Sequence, residues 1–313
     1  MVQRHGRPRA RREVVTPQPD RAASTAIIIV NYGSSALLSS NLASGDGSTA
    51  ADEIVIVDNF TSTAEAETVA RLSADNGWRV VSNDRNVGFG TAVNIGVEHA
   101  RSLGCTAFII LNPDAIITAA VAAELFAIVL EHHDVLVAPR IVRTDGRPWF
   151  EGATLDTTTG YTSTAPGSDS ASADGWITGA CVAIHEDLWS RSGGFDDDYF
   201  LYWEDVDLSW RCRTAGGSLS VRADLEVVHD VGGTQAGQGK TPTYVYYNCR
   251  NRLLFAAKNL PAGTRRAWRA RDVGYAYRII TRGAGRRVLL RKPQLILAAV
   301  RGTWAGARWR ESV

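Results

Sequence analysis

The chain has 313 residues, 45% of them hydrophobic, an ordinary globular composition with length for one large α/β domain or two small ones. Its formal charge of +1 hides an asymmetry: residues 1–21 carry six Arg against two acids, residues 261–313 carry thirteen basic residues against two acids, and residues 22–260 carry a net −14. Four widely spaced Cys without metal spacing exclude a disulfide framework and a structural zinc site, and neither a secretory leader nor a run of ~20 apolar residues is present, so a soluble or peripheral protein in a reducing cytosol is expected.

In chain order, residues 1–23 (MVQRHGRPRARREVVTPQPDRAA) are Arg- and Pro-rich with little to bury and read as a disordered basic segment. Folding is expected from residue 24. Thr25–Tyr32 (TAIIIVNY), Glu53–Asn59 (EIVIVDN) and Ala107–Asp114 (AFIILNPD) are continuous apolar runs ending in polar residues, the pattern of strands buried on both faces. Helical patterns over Ala64–Asp75 and Thr91–Leu103 separate them. The alternation predicts a Rossmann-like α/β fold, with a mostly parallel central sheet, flanking helices and ligands beyond the carboxyl ends of the strands. Asn31, Asp58, Asn59, Asn112 and Asp114 occupy that edge. A helix is expected over Ala119–Glu131, a strand over Val135–Val142, and a mobile loop over the small polar run Thr162–Gly175 (TSTAPGSDSASADG). Structure resumes at Trp176–Trp189 (WITGACVAIHEDLW), the main domain closes at residue 260, and residues 261–313 form a basic amphipathic helical tail.

Leu201–Arg211 (LYWEDVDLSWR) packs Glu204, Asp205 and Asp207 among Tyr202, Trp203 and Trp210. Carboxylates are costly to desolvate, so this setting points to cation binding or proton acceptance, with a solvated helix face as the alternative. A helix from about Glu204 to the AGG stop at Ala215–Gly217 puts Asp205, Leu208, Cys212 and Ala215 on one inward stripe. Glu204, Asp207 and Arg211 fall on a neighbouring stripe, where Asp207 and Arg211 pair across a solvated face. Asp205 is therefore the carboxylate placed to meet a substrate.

Pro113 ends a strand and leaves Asp114 above the sheet, either as a cap or as a ligand to Mg2+ or Mn2+ held against a diphosphate. Asp84–Gly96 (DRNVGFGTAVNIG) lacks the spacing of a G-x-G-x-x-G phosphate loop; its Asn86 and Asn94 either recognise a base, ribose or sugar or make turns. His229 ends an apolar run at the same rim, as a structural imidazole or a ligand. Arg250 and Arg252 either clamp phosphates or sit on a helix surface.

Taken in order, IIIVNY, IVIVDN, NVGFGTAVNIG, IILNPD, WITGACVAIH, GGFDDDYFLYWEDVDLSWRCRTAGG and HDVGG resemble the family 2 glycosyltransferases, and within them the bacterial rhamnosyltransferase-like enzymes, from about Ala26 to Lys258. The resemblance implies a GT-A fold, a nucleotide-sugar donor, a divalent cation (Mg2+ or Mn2+) and inversion at the anomeric carbon. It implies that Asp58 meets the nucleobase or ribose, with Asn31, Asn59, Asn86 and Asn94 around the nucleotide. Asp114 stands for the last carboxylate of the D-x-D metal motif, Asn112 replaces its first, and His229 is a second ligand to the metal or diphosphate. Asp205 is the catalytic base, and Glu204 supports it or holds the acceptor. Trp176, Gly179, Tyr202, Trp203, Arg250 and Arg252 line the substrate side, the aromatics as a sugar platform. His185 stands where basic residues are common, and Asp196, Asp197 and Asp198 are expected to be solvated charges or caps.

The implied reaction moves a sugar, rhamnose or another hexose, from a dTDP- or UDP-sugar to a glycan or polyprenyl-diphosphate-linked acceptor, in cell-envelope or secondary-metabolite glycan synthesis. The tail, with Trp268, Tyr275, Tyr277, Trp304 and Trp309 among its arginines, has the composition of helices that lie on anionic membranes. The expected location is cytoplasmic, peripheral at the inner face of the plasma membrane. No nucleic-acid module accompanies the tail, so nucleic acid is not an expected partner. A non-catalytic nucleotide-sugar or glycan-binding module with a membrane-adaptor tail, and a nucleotidyltransferase, are the alternatives.

Overall fold

The computed structural model describes residues 24–164, 168–229 and 240–309. The basic segment expected to be disordered over residues 1–23 lies outside these residues, as do residues 165–167 of the expected loop.

β1 (Ser24–Asn31) leads through a short helix α1 (Ser35–Leu37) to β2 (Glu53–Asp58), α2 (Thr63–Asn76), β3 (Arg79–Ser82), α3 (Phe89–Ser102) and β4 (Cys105–Leu111). Next come β5 (Ala115–Ile116), α4 (Ala119–Glu131), β6 (Val135–Val142), β7 (Pro148–Phe150), β8 (Ala153–Asp156), β9 (Tyr161–Ser163) and β10 (Gly175–Trp176). β11 (Cys181–His185), α5 (Glu186–Ser192), α6 (Glu204–Thr214) and β12 (Ser218–His229) complete the strands. The chain then forms α7 (Pro242–Asn259), α8 (Ala262–Arg269), α9 (Asp272–Thr281), α10 (Val288–Arg291) and α11 (Pro293–Arg308).

The main sheet has the order β3-β2-β1-β4-β11-β6-β12-β5, with β7 beside β6. Its β1, β2, β3, β4, β6 and β12 run parallel, and β11 is inserted antiparallel between β4 and β6. The reversal matters for the site. The start of β11 lies on the same rim as the ends of β1, β2, β4 and β12, so Asn31, Asp58, Asn112, Gly179 and His229 share one edge. The apolar runs of β1, β2 and β4 are buried almost throughout because helices cover both faces.

The run Thr162–Gly175 is not wholly a loop. Its ends belong to β9 and β10 in a small sheet of order β10-β8-β9. Between them the buried Ser170 accepts from the amide of Ala153 at 2.9 Å and donates to the carbonyl of Trp176 at 2.7 Å. A small hydroxyl side chain packs well once it satisfies the backbone around it.

Nor do the helices after Pro261 form a separate surface tail. Trp268, Tyr275, Ile280, Leu295, Ala298 and Ala299 join Tyr199, Trp203, Val206, Val245, Leu254 and Phe255 in a second core, apart from the sheet core. Trp268 and Tyr275 are therefore interior residues, whereas Tyr277 and Trp304 are exposed. α11 lies directly on α7: a Cβ on Gly302 would stand 2.2 Å from the carbonyl oxygen of Tyr246, and one on Gly306 would stand 2.4 Å from that of Arg250. Gly302→Ala should lower the unfolding free energy by roughly 1–3 kcal/mol, read as a lower urea midpoint at constant m-value. An unchanged midpoint would mean that the two helices do not meet there.

Candidate active site

α6 is entered through strained backbone. Tyr202 and Trp203 have φ of 66° and 73°, a left-handed conformation that costs an L-residue about 1–2 kcal/mol. Two features over-determine it. The buried Asn251 on α7 donates its side-chain amide to the carbonyls of Leu201 at 2.9 Å and Tyr202 at 2.7 Å. The Trp203 ring is locked in the second core, 5.7 Å from Phe255 and 6.3 Å from Trp268.

Asp205 follows in the first turn of α6, half-buried, its Oδ1 accepting from the amide of Val206 at 2.9 Å and its Oδ2 from the amide of Gly179 at 3.4 Å. Burial pushes its carboxyl up to about 6. Glu204 beside it is buried and its Oε2 has no partner among the described residues. Burial first, and the neighbouring Asp205 second, push Glu204 well above the usual carboxylate range.

Gly179 joins this helix to the sheet rim, for the next residue, Ala180, accepts the amide of Asn112 at 2.9 Å. Two residues on, the buried Asp114 places Oδ1 2.9 Å from Nε2 of the buried His229. β12 pairs with β5 at His229 and Ala115, which fixes that juxtaposition. The Trp149 ring stands 4.6 Å from the imidazole, and His229 Nδ1 has no partner among the described residues. A carboxylate oxygen and an imidazole nitrogen converging in this way form a donor set that fits a divalent cation.

Farther along the rim, Asn31 donates to Asp58 Oδ1 at 3.1 Å and to Glu65 Oε1 at 3.2 Å. Asp58 is buried, and its Oδ2 has no partner among the described residues. Burial raises its carboxyl, which the Asn31 bond opposes and the Glu65 charge reinforces.

Residues 26–184 match the family described as Glycosyl transferase family 2. The chain belongs to that family. It is 25% identical over 234 residues to the low-salt glycan biosynthesis hexosyltransferase Agl10 of Haloferax volcanii, covering 73% of this chain and 74% of that one. A stretch of 55 residues is 40% identical to the N-acetylglucosaminyl-diphospho-decaprenol L-rhamnosyltransferase of Mycobacterium tuberculosis, spanning 18% of each chain. The mannosyltransferase PcManGT from Pyrobaculum calidifontis, solved with GDP-Man and Mn2+, superposes with a TM-score of 0.54 at 16% identity, over 96% of this chain and 91% of that one. That likeness establishes the GT-A fold.

In this family 2 glycosyltransferase several residues singled out from sequence have other work. Trp203 is core, not sugar platform; Tyr202 stays half-buried, edge-on to Tyr244 at 5.2 Å. Arg252 is fully buried, donating to the carbonyls of Thr159, Gly160 and Trp268 and to Asp272, so it ties α7 to the small sheet and the C-terminal helices rather than clamping phosphate. Arg250 donates to the Asp198 carbonyl and Asn251 Oδ1, bracing the loop before α6. Asn59 spends its amide on Asn86 and Gly88 and its oxygen on Val87 and Asn83, shaping the Asn86 loop instead of facing solvent. Asn94 closes on Phe195 and Asp197. Trp176 donates to the carbonyl of Thr154 at 3.3 Å.

Asp207 is not on a solvated face. It is buried between Arg211 at 2.6 Å, Asn259 at 2.8 Å and the Tyr199 hydroxyl at 3.3 Å, because α6 is packed between both cores. Asp196 and Asp198 are not free charges either, since both pair with Lys258, at 2.5 and 2.6 Å; Asp197 accepts from Thr91 and Asn94. His185 lies at the opposite edge of the sheet, stacked on His133 with ring centroids 3.5 Å apart and 6° between planes, near Asp187. Parallel stacked rings cannot both aim in-plane lone pairs at one ion, and His185 Nδ1 already accepts the Asp187 amide, so this cluster is not the counterpart of the Asp114–His229 pair.

Trp149 and Asn251 were not found from sequence. Trp149 lies in a short strand with no periodic signal, and Asn251 acts on residues 49 and 50 positions away.

Because burial and the neighbouring Asp205 hold the Glu204 carboxyl well above its usual range, ionising it costs stability as pH rises above its unfolded value of ~4.3. Glu204→Gln should therefore stabilise the protein at pH 8, with the gain vanishing near pH 4, where both forms are neutral. Thermal melts at the two pH values check this, and a gain that is equal at both would contradict the buried, protonated carboxyl.

Proposed function

We propose that this protein is an inverting, divalent-cation-dependent glycosyltransferase that moves a hexose, rhamnose among the candidates, from a dTDP- or UDP-sugar to a hydroxyl of a glycan or polyprenyl-diphosphate-linked acceptor, at the cytoplasmic side of cell-envelope or secondary-metabolite glycan synthesis. Convergence carries this reading: Asp58, the Asp114–His229 pair and Asp205 reach one rim from four separate parts of the chain. The Haloferax relative is named a hexosyltransferase, and the mycobacterial one is named for L-rhamnosyl transfer to a diphospho-decaprenol acceptor, which supports the sugar and acceptor classes. The Pyrobaculum neighbour, solved with Mn2+, supports the cation.

Asp58 Oδ2 accepts a hydrogen bond from the base or ribose, with Asn31 fixing its orientation and Asn86 near the nucleotide. Asp114 and His229 would hold the cation, which when bound neutralises the charge of the leaving diphosphate. Asp205 takes the proton of the acceptor hydroxyl as that oxygen attacks the anomeric carbon. The bond from this carbon to the diphosphate oxygen breaks, the nucleoside diphosphate departs, and a single displacement inverts the centre. Gly179 packs closely there, since a Cβ on it would stand 3.8 Å from that of Asp205 and 3.4 Å from the Phe89 ring; Glu204 supports the base as a neutral neighbour, and Tyr202 borders the acceptor.

Asp205 acts as base only when ionised, and burial has moved its titration to about 6. kcat/KM for transfer should rise with pH through that value and then level off. Asp205→Asn should abolish transfer while nucleotide-sugar binding stays within a few-fold, and retained turnover would remove Asp205 from the role. Asp114→Ala should weaken Mn2+-dependent nucleotide binding by about tenfold or more, a loss of at least roughly 1.4 kcal/mol by calorimetry. Unchanged heats would contradict the cation assignment.

A further inference from the structure

We infer that α10 and α11 present a docking face for an anionic lipid surface. α11 is apolar on two sides. Its inner side, Leu295, Ala298, Ala299, Gly302 and Gly306, is buried against α7 and the second core. Its outer side carries Ile296, Leu297, Val300 and Trp304, exposed by 43, 51, 61 and 58%, with Leu290 of α10 exposed by 88% just before it. A helix covered by water on its outer side normally places polar residues there. Large side chains spaced at i, i+3 and i+7 form instead a continuous apolar stripe, the kind of patch that marks an interaction surface.

The charges around the stripe select its occupant. From Val273 to Arg310 the sequence has nine basic residues and no Asp or Glu. Arg291, Arg301 and Arg308 are exposed, and the Arg308 guanidinium carbon stands 4.1 Å from the Trp304 ring centre. Apolar side chains on helices whose own charged residues are all basic, with an indole and a guanidinium at one end, match the boundary between anionic headgroups and acyl chains. A second copy meeting it through the same helices would bring like charge to the same place, as would the Arg-rich residues 1–23. A nucleic acid would meet the arginines and leave the apolar stripe in water.

The face is also placed to serve the site. Gly302 and Gly306 seat α11 on the part of α7 whose Asn251 holds the Leu201–Tyr202 backbone ahead of Asp205. One helix, α7, thus stands between α11 and the residues that border the acceptor proposed above.

Sedimentation of the full chain with vesicles tests this without any need for transfer activity, so failure here leaves the catalytic reading intact. Vesicles of phosphatidylcholine with about one-third phosphatidylglycerol should bind the protein, vesicles of phosphatidylcholine alone should not, and salt should weaken the binding. Leu297→Ser, Val300→Ser and Trp304→Ser combined should reduce the partition coefficient by about tenfold or more with little change in the urea midpoint, since these side chains face outward. Arg301→Gln and Arg308→Gln should each reduce it by about fivefold. No binding to anionic vesicles, undiminished binding by the triple variant, or binding of duplex DNA in place of vesicles would overturn the inference.

Discussion

The hydrogen bond from the Asn112 amide to the Ala180 carbonyl joins the two halves of this molecule's candidate site. One side of it is the parallel sheet ending at Asn31, Asp58 and Asp114. The other is the Gly179 turn, whose amide meets Asp205 at the start of α6. The bond exists because β11 enters antiparallel between β4 and β6. Had β11 run parallel, its start would lie at the far edge, where His185 is now, and Asp205 would have no rim to face. A single such bond contributes only about 1 kcal/mol to stability; its larger effect is register.

The rim is electrostatically unusual. Burial raises the carboxyls of Asp58, Glu204 and Asp205 together, within a body of residues 22–260 that is net −14. A carboxylate held in such a place is poised to accept a proton, which suits a base, and is hostile to a diphosphate, which calls for a cation. Asp114 and His229 sit where a cation would settle that conflict. The strained aromatic pair before α6 belongs to the same design: Asn251 and the second core hold backbone that an unsupported chain would release. The C-terminal helices, by completing that core, therefore contribute to the geometry of Asp205 as well as to the outer surface.

Much of this was legible in the sequence for a simple reason. Strands buried on both faces are written as unbroken apolar runs, and the expected boundaries of α4 and β6 coincide with the observed ones. The meeting of Asp114 and His229 was likewise readable from their positions after apolar runs, once ordered motifs supplied the fold, whereas Asp205 was marked by its place on the inward stripe of a helix. What stayed hidden depended on partners distant in sequence. Arg252 meets residues 159, 160, 268 and 272, and Asp207 meets Asn259, so nothing near either residue announces its burial. Trp203 looked like a platform because a left-handed turn, not a propensity, aims its ring inward. α11 is apolar on both sides, so periodicity marks a helix without saying which stripe faces α7.

The most direct measurement is anomalous diffraction from a crystal grown with Mn2+ and a nucleoside diphosphate. The account predicts one strong peak within coordination distance of Asp114 and His229, with diphosphate oxygens on it and the Asp205 carboxylate facing the open side of the same cleft. A peak at His133 and His185 with none beside Asp114, or an ordered nucleotide bound away from the rim, would contradict it.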